Sequence, residues 1–549
     1  MLPGRLPPRG GPGRTGLGRN RTAAIGKNAG QRKSRCQSNT THRMLTLMFV
    51  DSVDSDIAPS GTLLGLLQRG RGDGTLHALA APRAEALSAL RQCVLHDPRR
   101  DWQIEHRSLY YARLHMELDA GLDDIEKHLF HPDDLVTLEG TEERTGLALS
   151  VLGHLASYGD DGALRLLRRY AVAGANWQWA LDELAVRDDD AALRRLGAAV
   201  LARFPRTREG DADLAEAARN AFEPRPWRLW AEDPAHPERA ERLRRLQEQG
   251  SFDRWQRQLN NRGPRPGWSV REVLDWAENG GDHSGPGGQP DRYGEASRHR
   301  EAAAARCLAA VAGPEDRDEL LRAARGGTDT RRAAALRHLA ERGDPAVLDL
   351  LADAAVEPSM SAADGTLPPL ARSALDSFAR MRSVAALERA RHWAGHRDDA
   401  LGLVAAQMLA NRGGPQDTGA VLAALRRTLR LHGADSDELW PLVDGTGRLT
   451  IRCAAPVLRH IYRETSSSQL RGRTARALAA TDPTFAAGFA IECLWDCEES
   501  TREIAAQNAT TGDARVVERL RRLAADPAEE SGVQSAVRGR LSPDGGPSV

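Results

Sequence analysis

Short turns recur along this chain at a nearly constant interval, and that interval limits its fold more than any other feature. Breaks fall at Gly313, Gly343, Arg382 and Gly413, separated by 30, 39 and 31 residues, and again at Thr481 and Gly512, 31 residues apart. The insert EPSMSAADGT accounts for the long interval, since its Pro, Ser, Asp and Gly belong on a surface loop. Between the breaks, apolar residues keep a helical period. Leu87, Leu90 and Val94 stand at i, i+3 and i+7, and so do Tyr111, Leu114 and Leu118. The repeating unit is therefore helix, turn, helix. Such a unit cannot cover its own apolar stripe and must stack on its neighbours.

The clearest unit is TRRAAALRHLAERGDPAVLDLLADAAVE at 330–357. Leu336, Leu339 and Ala340 form one stripe, and Val347, Leu351 and Ala354 form another across the turn. Further upstream, the Gly159 turn is followed 29 residues later by Asp188, Asp189 and Asp190, an acidic triplet suited to capping the next helix. Aromatic residues make up only 5% of the chain, too few for the strands of a sandwich or barrel, while Ala and Leu favour helices. The expected class is all-α: an α-solenoid of stacked antiparallel helix pairs.

Arg332 with Ala335, Leu339, Gly343 and Asp344 resembles the first helix and turn of HEAT-like repeats of the phycobilisome-lyase type. Arg471 with Ala475, Ala477, Leu478 and Asp482 resembles it too, as do Arg502 with Ala505, Ala506, Gly512 and Asp513, and, more loosely, Arg144 with Ala148, Gly159 and Asp160. The resemblance covers two tracts, about 140–205 and 297–526. It implies a curved stack with one helix of each pair on the convex side and the other lining the concave side, and it implies no particular activity. The arginine opening each first helix lies near the acidic residues of the preceding turn. A ladder of Arg–Asp contacts between repeats is expected, each exposed pair contributing about 0–1 kcal/mol.

The chain holds 549 residues, too many for one small core. Its formal charge is zero, yet residues 1–43 carry ten Lys or Arg and no acid, so the remainder stands at −10. Residues 1–47, rich in Pro, Gly and Arg, are expected to be a disordered basic tail and not part of the true protein, with Met44 and Met48 as later starts. A helical repeat domain is expected over 48–278, with a tryptophan-rich irregular segment at 224–278. Residues 279–296, Gly- and Pro-rich, are expected to be a linker or loop, residues 297–527 a second repeat domain, and residues 528–549 a frayed tail.

Scattered cysteines and the lack of a long apolar run point to a soluble protein of the reducing cytoplasm, with no membrane partner. No phosphate-binding loop, His-Glu-x-x-His, nucleophile elbow or Cys-x-x-Cys is present. GRGDGT at 70–75 follows no strand, and its RGD triplet reads as chance. His77, His96, His106, His115, His128 and His131 concentrate near carboxylates without ligand spacing, so neither a metal nor another cofactor is expected. The more informative pattern is basic. Arg165, Arg168, Arg169, Arg194, Arg195, Arg426, Arg427, Arg430, Arg459 and Arg463 lie on second helices. If those helices line the concave side, they make a basic stripe able to attract an acidic protein or a phosphate backbone.

The leading expectation is a non-enzymatic scaffold that binds a protein partner through its curved surface. A nucleic-acid binder resembling the HEAT-like alkylpurine DNA glycosylases is the alternative, weakened by the acidic body. A lyase or metal-dependent enzyme is the third reading.

Overall fold

The computed structural model describes residues 57–98, 107–132, 141–246, 267–279, 295–356, 367–396 and 399–541. The expected tail at 1–47 lies outside them, as does nearly all of the expected linker at 279–296. The described residues form helices joined by short turns, and among them there is no strand. No helix is long and apolar enough to cross a membrane.

The helices form because the turns terminate them well. Gly343, at φ +73°, ends the Asp329–Glu341 helix in the left-handed region, which costs a glycine little; the Asp344 N–H then bonds back to the Leu339 carbonyl. Aspartates start the next helices: Asp160 accepts from the Gly162 and Ala163 N–H groups, Asp189 from Ala192 and Asp399 from Gly402. In two turns Gly-Pro-x-Asp forms a closed loop, with Asp316 accepting from the Gly313 N–H and Asp417 from the Gly414 N–H.

Antiparallel pairs built this way stack in the expected solenoid manner. The first helices run from Glu295–Val311 through Asp329–Glu341, Pro369–Arg380, Ala400–Arg412, Leu439–Arg448, Ser468–Thr481 and Glu499–Asn508 to Ser531–Leu541, each against the next. Small residues allow this: a Cβ on Gly445 would stand 2.3 Å from Ala410, and one on Gly447 3.0 Å from Ala477. The second helices touch one another much less. The row of first helices is the close-packed side of the stack, and the second-helix row is the open one.

Leu336, Leu339, Ala340, Val347, Leu351 and Ala354, the stripes of the 330–357 unit, are all buried. Two apolar cores result, one built from residues within 63–246 together with Cys497 and the other from residues within 270–541. The Val270–Asn279 helix joins the second core through Val270, Val273, Leu274 and Ala277, so the cores divide between 246 and 270, ahead of the glycine-rich stretch. Within the expected frayed tail, Ser531–Leu541 is a helix with Val533 and Val537 buried; two valines one turn apart suffice to seat it on its neighbours.

The two cores meet where the first described helices touch the last. The Cys497 N–H donates to the Gly70 carbonyl (2.9 Å), Arg71 Nη1 to the Arg463 carbonyl (2.7 Å) and Ser60 Oγ to Glu464 (2.9 Å). Arg113 pairs with Asp526 (2.7 Å) and Glu529 (3.0 Å), and Arg522 with Glu117 (3.0 Å). The approach is close enough to require glycine. A Cβ on Gly72 would stand 1.8 Å from the Glu492 carbonyl oxygen, and one on Gly70 2.3 Å from the Cys497 sulfur. The GRGDGT segment is thus the docking edge of the N-terminal stack.

Candidate interaction sites

Charge on the second helices is divided between paired and unpaired arginines. Arg168 grips Asp188 with two bonds, 2.8 Å from Nε and 2.5 Å from Nη2. The same contact recurs as Arg317 with Asp344, Arg391 with Asp417 and Arg459 with Asp482. In each case the arginine sits on a second helix and the aspartate on the turn after the following first helix. The ladder therefore exists, but these rungs start from the second helices. Of the acidic triplet, Asp188 holds Arg168, Asp189 caps its helix, and Asp190 pairs with Arg225.

The arginines that open first helices have a different fate. Arg471 and Asp496 are both fully buried (0% and 0% exposed) and joined at 2.7 and 3.0 Å. Arg502 is buried against Glu529 in the same fashion (2.7 and 3.0 Å). Against the upward push of burial, Arg502 and Arg113 hold the Glu529 carboxyl below its ordinary range.

Of the ten stripe residues, Arg168 and Arg459 are thus neutralised by turn aspartates. Arg169 is paired with Glu126 and lies over the Phe130 ring. Arg427 is half-buried. Arg463 lies over the Phe489 ring, 5.3 Å from its centroid, at the edge of the junction. Arg165, Arg194, Arg195, Arg426 and Arg430 are exposed, and their side chains hold no ion pair among the described residues. Leu431, next to Arg430, is itself 69% exposed. These side chains belong to the open row. They do not line the close-packed one.

Arg194 also lines a shallow depression of roughly 10 Å³ with Gly197, Trp230, Asp233, His236 and Arg239. The indole of Trp230 lies flat enough on the Asp190–Leu201 helix that a Cβ on Gly197 would reach it at 2.8 Å, and its Nε1 donates to the Leu193 carbonyl (2.7 Å). Asp233 is buried, and both its oxygens are engaged. Oδ1 accepts from the Ala235 N–H (3.0 Å) and Oδ2 from His236 Nδ1 (2.9 Å). The bond from His236 holds the Asp233 carboxyl below its usual range. Like Arg194, Arg239 has no ion pair among the described residues. The sequence offered no signal for this depression, because it depends on a turn at 232–236 folding back over a helix about 40 residues earlier.

The other concentrations serve packing. Trp227 and Trp230 are buried, with Trp177 and Phe204 joining them in edge-to-face contacts, so the described N-terminal part of the tryptophan-rich segment fills the core. Among the described residues no group of three or more His, Cys, Asp or Glu is placed to hold a metal ion. His96 and His128 meet edge to face, His128 Nε2 lies 3.0 Å from the Arg144 carbonyl, and His115 is buried with its basicity lowered by desolvation. Cys493 lies 3.0 Å from the Tyr462 hydroxyl, and Cys497 accepts from Arg471.

No protein-family model matches the chain, and neither a curated protein nor a solved structure matches it.

Proposed function

We propose that this chain is a HEAT-like repeat scaffold that binds an acidic protein partner along its second-helix row. One observation carries this reading. Exposed guanidiniums without ion pairs, those of Arg165, Arg194, Arg195, Arg426 and Arg430, stand on second helices in both stacks, while their neighbours Arg168 and Arg459 are neutralised within the fold. The four-fold recurrence of the same Arg–Asp contact supports the repeat assignment, and exposed Leu431 beside Arg430 adds the apolar contact that protein interfaces use. A nucleic-acid partner has less support, because a body of net charge −10 repels a phosphate backbone at long range.

Charge reversal tests the reading. Arg426→Glu with Arg430→Glu, and separately Arg194→Glu with Arg195→Glu, are expected to leave circular dichroism unchanged and to reduce recovery of the partner in affinity capture by about tenfold. The control Arg476→Glu, exposed on the first helix Ser468–Thr481, is expected to leave recovery unchanged. Capture that survives both reversals at low salt removes the second-helix row from the interface. Loss of nucleic acid instead of protein turns the assignment to the nucleic-acid reading.

A further inference from the structure

The junction between the two stacks is built unlike the cores on either side of it. Its contacts are largely polar: ion pairs at Arg113 and Arg522, backbone bonds at Gly70 and Arg463, and the Ser60–Glu464 contact. Polar interfaces between units that have cores of their own let those units move. At one edge the charges are also poorly matched. The Gly72–Ala80 helix meets the Phe489–Cys493 helix there, so closely that a Cβ on Gly72 would stand 1.8 Å from the Glu492 carbonyl oxygen. Glu492 Oε1 and Asp73 Oδ1 are both buried at this edge, and neither has a hydrogen-bond partner. The surrounding charges are already committed. Arg71 bonds Asp73 Oδ2 and the Arg463 carbonyl, Asp496 pairs with Arg471, and the Arg463 guanidinium lies over the Phe489 ring. Burial pushes the neighbouring Tyr462 hydroxyl and Cys493 thiol well above their ordinary ranges, so both stay neutral. Glu492 is the group that titrates here near neutrality: burial first, then Asp73 and Asp496, raise its pKa to about 7 against Arg71 and Arg463.

We propose that this edge is a proton-dependent clasp that regulates the second-helix interface. Closed, with Glu492 neutral, it holds the Arg194–Arg195 patch of one stack and the Arg426–Arg430 patch of the other at the separation that one partner bridges; open, it lets the patches part. The proposal rests on the reading above that the second-helix row meets an acidic protein, and it adds what controls the meeting. Loss of the proton sets an unsolvated carboxylate beside Asp73, and parting the edge hydrates both. The Arg113 and Arg522 pairs lie on other elements, so the stacks turn about them instead of separating. A raised carboxyl favours the closed form fully below its ordinary 4.5, and that preference is lost as pH rises through about 7. Between pH 5 and pH 8 the balance shifts toward the open form by at most about a hundredfold. A partner held at two patches loses the advantage of the second when their spacing changes.

Amide hydrogen exchange on the full-length protein reads the clasp at the Cys497 N–H, which donates to the Gly70 carbonyl across the junction. Corrected for the intrinsic rise of exchange with pH, its protection is expected to fall at least about tenfold between pH 5 and pH 8. The Asp344 N–H, bonded to the Leu339 carbonyl inside one stack, is expected to stay constant within about twofold. In Glu492→Gln the fall is expected to vanish, and in Asp73→Asn, which removes the main like charge, to shrink. Constant protection in the parent, an unaltered fall in Glu492→Gln, or an equal fall at Asp344 each overturns the clasp. Control of binding is read by calorimetry with polyaspartate of about 50 residues and of about 8, only the longer of which reaches from one stack to the other. At pH 5 the longer probe is expected to bind at least about tenfold more tightly; that advantage is expected to be lost at pH 8 in the parent and kept in Glu492→Gln. If the advantage survives pH 8 in the parent yet disappears in Arg426→Glu with Arg430→Glu, the interface stands and its regulation by the clasp is wrong. If neither probe binds while Cys497 protection falls as expected, the second-helix reading is wrong and the clasp alone stands.

Discussion

At the scale of the residue, Arg471 shows how far position along a helix can differ from environment. Its place at the start of a first helix suggested an exposed contact with a turn, yet its side chain is fully buried with Asp496. The burial has a long-range cause: the Gly70 carbonyl and Cys497 close over the guanidinium when the N-terminal stack docks. A buried pair of this kind contributes little net stability relative to apolar residues of equal volume, because desolvation opposes the attraction. Breaking it from one side is another matter, since the remaining buried carboxylate keeps only the Glu498 N–H and no opposite charge. Arg471→Ala is expected to lower unfolding free energy by about 3–5 kcal/mol in denaturant titration. Arg471→Met with Asp496→Leu is expected to lose far less. A double variant as unstable as the single one would mean that the pair itself, and not the orphaned carboxylate, sets the cost. Leu339, by contrast, was legible: its place in the stripe predicted burial, and it is 2% exposed.

At the scale of the element, the repeated unit is defined by its turn aspartates as much as by its stripes. Asp482 is the best-connected example. It accepts from Arg459 Nε (2.7 Å), from the Thr484 N–H (3.0 Å) and from the Thr484 hydroxyl (2.8 Å), so one carboxylate holds the turn and ties it to the preceding second helix. Burial raises its pKa, but these bonds outweigh burial and leave it below its ordinary value of 3.8. A depressed carboxylate stabilises the fold above that value and loses its contribution as pH falls through the lower, folded one. Asp482→Asn is therefore expected to cost about 1–2 kcal/mol at neutral pH. The gap to the parent protein is expected to close when melting is followed below pH 3.8; a constant gap would mean that the carboxylate's charge does not matter. The helices, their turns and the capping role of the acidic triplet were legible in the sequence because they are local: period, glycine and aspartate act within one unit. The direction of the ladder was not, because Arg168 and Asp188 or Arg459 and Asp482 are separated by a whole first helix. The depression beside Trp230 and the Ser531–Leu541 helix were hidden for the same reason, since what makes each is a neighbour distant in sequence.

At the scale of the whole molecule, the feature with the widest consequence is the junction between the two stacks, through which the ends of the described chain hold each other. Gly70, Gly72 and Cys497 set its closeness, and Glu492 sets its charge. Burial pushes the Glu492 carboxyl up to about 7, nearby Asp73 pushes it the same way, and Arg71 and Arg463 oppose them. Its Oε1 is buried without a hydrogen-bond partner. The groups facing it are Asp73 and Arg71 from the N-terminal stack, Arg463 from the Ala455–Glu464 helix and Asp496 from the following turn. A carboxyl whose folded pKa is raised is at its most stabilising below its unfolded value of 4.5, and that contribution is lost as pH rises through about 7. The junction is therefore expected to be tightest in mild acid, weakening by at most about 3 kcal/mol as Glu492 ionises. Glu492→Gln removes the titration and is expected to flatten the fall in melting temperature between pH 5 and pH 8 that the parent protein shows, roughly the interval over which such a group ionises. Gly72→Val is the geometric counterpart, because its side chain meets the Glu492 carbonyl whatever the pH. Small-angle scattering is expected to show a larger radius of gyration for Gly72→Val at both ends of that range, with helicity retained because each stack has its own core. An unchanged radius would mean that the stacks do not depend on this contact to stay together. A Glu492→Gln protein that keeps the parent's pH profile would place the titration elsewhere in the junction.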